Sequence, residues 1–258
     1  MKTLKIYKSI LWMLLFTLSA ALHAQDEAKA IFTRAVDQLL TNQMDLSIHI
    51  TTTESDGRST VKAYDILMGS FGDKDMMRMV MQEPERARGV TIVITQLPGE
   101  EGVIEVLTPS NGKVRKMKAT PENMERVGTS YILSDYASKS LKEMEFTLAG
   151  KEEAEGTSCW LIDTRDKEKT DGKIARFLIE ENSYRIREIR VLDAGGESSS
   201  VTKLSQYRPL EGVKGKVQPM HIHTEDMKGN TVTEMQITRV AWRPDLKTED
   251  FILEGVTQ

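Results

Sequence analysis

The feature that most constrains this chain is a long run of alternating strand and turn patterns that follows one amphipathic helix. From about Leu46 to Trp242 we count roughly ten or eleven strands, interrupted once, around residues 119–140. A sheet with so many strands must curl to bury one face. The sequence therefore predicts a mainly β fold, a curved antiparallel half-barrel covered by an N-terminal helix and a short mid-chain helical lid.

The first 24 residues have the pattern of a cleavable signal peptide. Three lysines, an apolar stretch from Ile10 to Leu22 and small residues before Gln25 follow one another. The apolar stretch is shorter than the roughly 20 residues that span a bilayer. We expect residues 1–24 to be removed and residues 25–258 to form one domain in the periplasm.

Charge and cysteine content narrow the function further. The net charge of −4 becomes more negative without the three signal lysines, so we expect no nucleic-acid partner. Cys159 is the only cysteine, which excludes an intramolecular disulfide. Its place beside Trp160 in an apolar strand favours a buried, unreactive thiol. Nothing in the chain points to a cofactor, and we expect a monomer.

The helix predicted over residues 26–42 has one broad apolar stripe that includes Phe32. An isolated helix of this length is marginal in water, so we expect the stripe to dock on the sheet.

Several strands present regularly spaced apolar residues on one face. On one of them Met77, Met79 and Met81 alternate with Arg78 and Val80. Unbranched thioethers fit surfaces of changing shape, which suits a flexible ligand such as an acyl chain, although each methionine alone is also an ordinary core residue. The predicted apolar ligand-binding residues are Met77, Met79, Met81, Ile92, Ile94, Val106, Met220, Ile222, Met235, Ile237 and Phe32.

The interruption at 119–140 starts like a helix, with Thr120 at the N-cap position and Pro121 in the first turn. The segment is either a lid over the sheet, with Met124 as a possible contact, or a plain connection between strands.

The order of several short motifs resembles the outer-membrane lipoprotein-sorting family, the LolA/LolB-like superfamily, in a divergent branch. The motifs are Pro84, Arg88-Gly89, Thr91–Ile94, Lys113–Met117, Gly128–Tyr131, Asp135-Tyr136, Gly150, Cys159-Trp160, Gly215, Pro219 and Asp250-Phe251.

The resemblance implies a half-barrel whose apolar cavity holds acyl chains of a lipoprotein or other lipid, with possible membrane-protein partners in the envelope. It also implies that Arg78 could face inward and pair with the lid. Only one of Arg78 and the methionine set can line the cavity, and we favour the methionines.

The sequence contains no G-x-S-x-G, H-E-x-x-H or G-x-x-x-x-G-K-[ST] motif and no paired-cysteine zinc pattern, and no metal site is expected. His221 and His223 alternate on one strand ahead of Glu225, a spacing that suits either a metal ligand pair or a polar outer face. We predict a non-catalytic carrier or sensor. The alternatives are an interaction scaffold with a filled interior and, more weakly, a hydrolase of envelope polymers.

Overall fold

A computed structural model describes residues 25–39, 41, 43–97, 100–126, 143–167, 172–254 and 256–257. The predicted signal peptide and residues 127–140 of the predicted lid lie outside the described residues.

The structure is mainly β, as predicted. The strands are β1 (Gln43–Thr53), β2 (Ser59–Phe71), β3 (Lys74–Glu83), β4 (Thr91–Gln96), β5 (Val103–Thr108), β6 (Lys113–Lys118), β7 (Met144–Ala154), β8 (Thr157–Asp166), β9 (Ile174–Glu180), β10 (Ile186–Leu192), β11 (Ser198–Pro209), β12 (Val217–Asp226), β13 (Thr231–Trp242) and β14 (Val256–Thr257). Helix α1 is described over residues 25–39, and α2 is Pro121–Arg126. Two short 3-10 helices, Glu85–Ala87 and Thr248–Phe251, complete the described elements.

The hydrogen-bonded strand order is β14-β6-β5-β4-β3-β2-β1-β13-β12-β11-β10-β9-β8-β7. Among the described residues the two outer strands of this order are β14 and β7, so the order is open, in agreement with the predicted class. The predicted count of ten or eleven strands is wrong. The described residues form fourteen strands, the last of which, the two-residue β14, pairs parallel with β6.

The chain divides into two compact units. The first takes in the described residues within Met1–Gln38 and Lys139–Val201, and therefore most of α1 and strands β7 to β10. Strand pairing in this unit is antiparallel from β7 through β10. Its core forms around Phe32 of α1, which is fully buried. The Phe32 ring lies 5.1 Å from that of Phe146 and 4.9 Å from that of Phe177, the latter edge-on. The predicted docking of the helix on strands is thus confirmed.

The second unit takes in the described residues within Leu39–Ser138 and Thr202–Gln258. Strands β12, β13 and β1 to β6 pair antiparallel in sequence-adjacent hairpins, except that β13 pairs with β1. Because side chains alternate between the two faces of a strand, residues one apart on β3 belong to two separate clusters. Met77 and Met79 lie in one cluster, and Met76 lies in the other.

We name these two sets the front and back clusters. The buried members of the front cluster are Met44, Leu46, Ile48, Ile50, Tyr64, Ile66, Met77, Met79, Ile92, Ile94, Ile104, Leu210, Met220, Ile222, Met235 and Ile237. The back cluster joins Met76, Val93, Leu246 and Phe251, with Leu67, Phe71 and Leu253 packed against them.

No helix in the described parts of the chain has both the length and the apolar character that a membrane crossing needs.

Candidate apolar ligand site

The front cluster is a continuous set of buried apolar side chains from seven neighbouring strands of the second unit, β5-β4-β3-β2-β1-β13-β12, joined by Leu210, which follows β11. Strand register brings its members together in rows. Met77 pairs with Ile94, and Met79 pairs with Ile92, across β3 and β4. Ile222 pairs with Met235 across β12 and β13. The alternation visible in the sequence therefore becomes one surface, because every strand presents its apolar face to the same side.

The structure collects most of the predicted site residues in this cluster. Eight of them are buried members: Met77, Met79, Ile92, Ile94, Met220, Ile222, Met235 and Ile237. Met81, Val106 and Met124 are partly buried and pack against it. The contact of Met124 shows that α2 reaches the front cluster, although the remainder of the predicted lid lies outside the described residues. The role of these eleven residues in binding a ligand stays a prediction.

Phe32 belongs to a different group. It lies in the first unit, where it packs on Phe146 and Phe177. The periodicity of α1 correctly marks Phe32 as apolar and docked, but periodicity cannot tell which strands receive it.

Arg78 lies on the opposite side of β3 from the methionine set. It pairs with Val93 of the back cluster, and its Nη1 donates a hydrogen bond of 2.9 Å to the backbone carbonyl oxygen of Asp250. Asp250 belongs to the 3-10 helix Thr248–Phe251, whose Phe251 is in the back cluster. Arg78 therefore helps to hold the C-terminal segment on the back of the sheet. The predicted contact between Arg78 and the lid stays a prediction.

Tyr64 is a member of the front cluster that the sequence analysis missed. It is 1% exposed and lies between Ile48 of β1 and Met81 of β3. Its hydroxyl group has no hydrogen-bond partner among the described residues. Burial raises the pKa of the Tyr64 phenol, so the group keeps its proton. The sequence did contain a signal for this position, because the alternation along β2 places Tyr64 on the same face as Ile66.

The polar side of β12 and β13 carries a histidine–glutamate cluster, which we define as His221, His223, Glu225 and Glu234. Both oxygens of Glu234 are engaged: Oε2 lies 2.6 Å from His221 Nε2, and Oε1 lies 2.6 Å from His223 Nδ1. His223 Nε2 lies 3.0 Å from Glu225 Oε1. Three of the four imidazole nitrogens thus face carboxylates, and the fourth, His221 Nδ1, lies 3.2 Å from the Ser205 hydroxyl oxygen. No three or more Cys, His, Asp or Glu side chains in the described ranges are arranged to hold a metal ion.

The electrostatics of the His223–Glu234 pair favour its charged form. The hydrogen bond with Glu225 raises the pKa of His223, and the bond with Glu234 adds to that effect against partial burial. Partial burial opposes ionisation of Glu234, but hydrogen bonds with His223 and His221 outweigh it and lower the pKa of that carboxyl group. The cluster is consistent with the polar outer face that the sequence allowed.

The amino-acid sequence of the chain matches a protein family. A family model whose description reads "uncharacterized protein" matches residues 73–257. No curated protein matches the chain in sequence.

Solved structures share the fold. A DUF1329 family protein from Desulfovibrio piger superposes with a TM-score of 0.74 at 11% identity, covering 90% of this chain and 99% of its own. A domain assigned to outer membrane lipoprotein sorting, from Vibrio parahaemolyticus, gives a TM-score of 0.71 at 12% identity, covering 88% and 97%. A LolA superfamily protein from Nitrosomonas europaea superposes with a TM-score of 0.62 at 15% identity, covering 87% of this chain and 97% of its own. At these identities the likeness establishes the fold.

Proposed function

We propose a function from one premise: the chain belongs to the family matched over residues 73–257 and has the fold of the LolA superfamily. The proposed function is the binding of acyl chains, from a lipoprotein or another lipid, at the front cluster. In this proposal the protein is a periplasmic carrier or sensor of the outer-membrane lipoprotein-sorting type. The export signal predicted over residues 1–24 supports the periplasm as its location.

The observation that carries the proposal is the extent of the front cluster across seven strands. Methionines from four of these strands, including Met44, Met79, Met220 and Met235, contribute to it. Unbranched, polarizable side chains can rearrange around a flexible guest at little cost. The side chains of the front cluster would have to move apart for an acyl chain to enter. Its methionines make that rearrangement easier than in a core of branched residues.

The energetics of acyl binding need no charged group. Burial of an acyl chain contributes roughly 0.8 kcal/mol per CH₂, so about a dozen methylenes supply on the order of 10 kcal/mol before the costs of association. The proposal also requires no catalysis, in keeping with a sequence that lacks the common catalytic motifs. The assignment of the Vibrio domain to lipoprotein sorting supports the choice of ligand class.

The test starts from full-length protein taken directly from the envelope fraction. Native mass spectrometry reports the mass and stoichiometry of any bound acyl compound, and organic extraction identifies it. Binding of a fluorescent fatty acid is then compared between the wild type and two variants, Met79→Asp and Ile94→Asp. We expect each variant to weaken binding at least about tenfold, because a carboxylate in the apolar surface is costly to bury.

Val61→Asp is the matched control, because Val61 is 43% exposed on β2 and lies outside the front cluster. It should bind the probe like the wild type. Circular dichroism must show that every compared variant is folded. An envelope-derived protein without acyl material, together with no uptake of the fluorescent fatty acid, would refute the proposal.

One observation favours a second candidate, a non-catalytic scaffold with a filled interior. Met79 and Ile104 are 1% and 0% exposed within the folded chain, as expected for a permanent core. A scaffold of this kind would unfold in Met79→Asp, and its wild-type form would take up no acyl probe. The same binding series therefore separates the two candidates.

A further inference from the structure

The Tyr64 hydroxyl is a polar group set into the front cluster without a described partner. The side chain is 1% exposed, and its hydroxyl oxygen is fully shielded from solvent and unbonded among the described residues. Native structures rarely leave such a group unpaired, since desolvating a hydroxyl without a hydrogen bond is unfavourable. A phenylalanine would fill the same space without that penalty. The hydroxyl group therefore requires an explanation.

The surroundings of Tyr64 are apolar on the strands beside it. Its cross-strand neighbours are Ile48 on β1 and Met81 on β3, and Ile66 follows on the same face of β2. Lys62, on the same face in the other direction, pairs with Ile50 and is partly buried. Tyr64 thus contributes a hydrogen-bond donor within a surface that otherwise favours hydrocarbon.

We propose that the Tyr64 hydroxyl donates a hydrogen bond to the carbonyl or carboxylate oxygen of the acyl compound bound at the front cluster. The inference rests on the proposed function and narrows its ligand to acyl groups that bring an oxygen acceptor into the apolar surface. A protonated phenol is a donor, and an acyl oxygen is an acceptor without a proton to give. Hydrocarbon alone leaves this donor unpaired.

The ligand oxygen has two chemical sources, an ester of a lipid or lipoprotein and the carboxylate of a free fatty acid. Lys62 lies on the same face, and its ammonium group would add to binding of a carboxylate more than to binding of a neutral ester. Methyl laurate and laurate represent these two sources, and dodecane has the same hydrocarbon without oxygen.

The test uses the full-length protein with the apolar dye N-phenyl-1-naphthylamine as the bound reporter. Methyl laurate, laurate and dodecane each compete for the dye against wild type and Tyr64→Phe. We expect Tyr64→Phe to weaken the binding of methyl laurate, of laurate or of both about 3- to 10-fold, which is the effect of losing one hydrogen bond. The binding of dodecane should not change. An effect on laurate alone identifies a fatty acid carboxylate, whereas an effect on both identifies an acyl carbonyl oxygen.

Thermal unfolding supplies a second readout. Removal of an unpaired buried hydroxyl should leave the midpoint Tm unchanged or raise it, whereas a fall would show that the hydroxyl has a partner within the fold and would overturn the inference. Tyr184→Phe, in the turn after β9, is the matched control and should not alter competition by any of the three compounds.

The outcomes separate this inference from the function on which it rests. Wild-type protein that binds none of the three compounds overturns both. Wild-type protein that binds them, with a Tyr64→Phe variant that binds all three equally well or equally worse, overturns the role of the hydroxyl alone.

Discussion

His223 and Glu234 join β12 to β13 through their side chains, with Nδ1 of His223 2.6 Å from Oε1 of Glu234. Each group shifts the pKa of the other toward the charged pair, and Glu225 reinforces the effect on His223. This interaction makes the stability of the second unit dependent on pH.

The raised pKa of His223 stabilises the fold fully below the ordinary histidine pKa of about 6.5, and that stabilisation is lost as the pH rises through the folded value. The lowered pKa of Glu234 stabilises the fold above about 4.3 and is lost as the pH falls. His223→Gln should therefore cost most stability at about pH 5.5 and least at about pH 8.5, measured by urea unfolding. His49→Gln, at an exposed position, is the control, and an equal cost at both pH values would contradict the prediction.

The three front-facing methionines of β3, Met77, Met79 and Met81, should set the range of ligands rather than the stability of the fold. We expect the triple variant Met77→Leu, Met79→Leu and Met81→Leu to remain folded, because each exchange conserves volume and usually costs less than about 1.5 kcal/mol. Branched leucines rearrange less readily, so the range of acyl chain lengths that displace a bound dye should narrow. Met76→Leu, in the back cluster, should leave that range unchanged. A triple variant with the wild-type range would show that flexibility of these side chains is not needed.

Phe32 should dominate the attachment of α1 within the first unit. Phe32→Ala removes a fully buried ring that contacts Phe146 and Phe177, so the free energy of unfolding should fall by about 3–5 kcal/mol. Glu27→Ala, at an exposed position of α1, should change it by less than about 0.5 kcal/mol. Chemical denaturation measures both, and a loss below about 1 kcal/mol for Phe32→Ala would mean that the helix contributes little.

Gly69 should be intolerant of any side chain, although its backbone conformation is ordinary. A Cβ atom there would lie 2.6 Å from Cε2 of Phe71 and 3.1 Å from Cζ of Phe251. Gly69→Ala should therefore destabilise the fold by about 1–3 kcal/mol. Gly195→Ala is the matched control, since its Cβ would meet only Asp193 Oδ1, at 3.3 Å. Adding Phe71→Leu should recover part of the loss, and a neutral Gly69→Ala would show that the two rings shift freely.

Cys159 should react with thiol reagents only after unfolding. Its side chain is fully buried, which confirms the expectation from sequence, and burial raises the pKa of the thiol. The thiolate is the reactive form, so DTNB should label denatured protein fully and native protein very slowly. Labelling of native protein at the rate of an exposed thiol would contradict this.

The alternation of apolar and polar residues along single strands was enough to predict much of the front cluster. The pattern around Met77, Arg78 and Met79 assigns each residue to the correct side of β3, because side-chain direction follows directly from strand geometry. The same pattern locates Ile92, Ile94, Met220, Ile222, Met235 and Ile237.

What the sequence could not predict depends on pairing between distant segments. The pairing of Tyr64 with both Ile48 and Met81 follows from the register of three strands, including a bulge between Ala63 and Tyr64. The contact between Arg78 and Asp250 joins positions far apart in the chain. The choice of Phe146 and Phe177 as partners of Phe32 similarly depends on how α1 docks.

The parallel pair between β14 and β6 also affects how copies of the chain meet one another. An outer strand with free backbone groups is a template for other strands, and proteins with such edges tend to polymerise. Here Val256 and Thr257 occupy the edge beside Lys113 and Val114. The exposed basic residues Arg115, Lys116 and Lys118 follow, and Lys116 and Lys118 are ion-paired with Glu105 and Glu101. A second copy approaching this strand would meet an occupied ladder and then a row of charged side chains, so the edge discourages self-association through sheet extension.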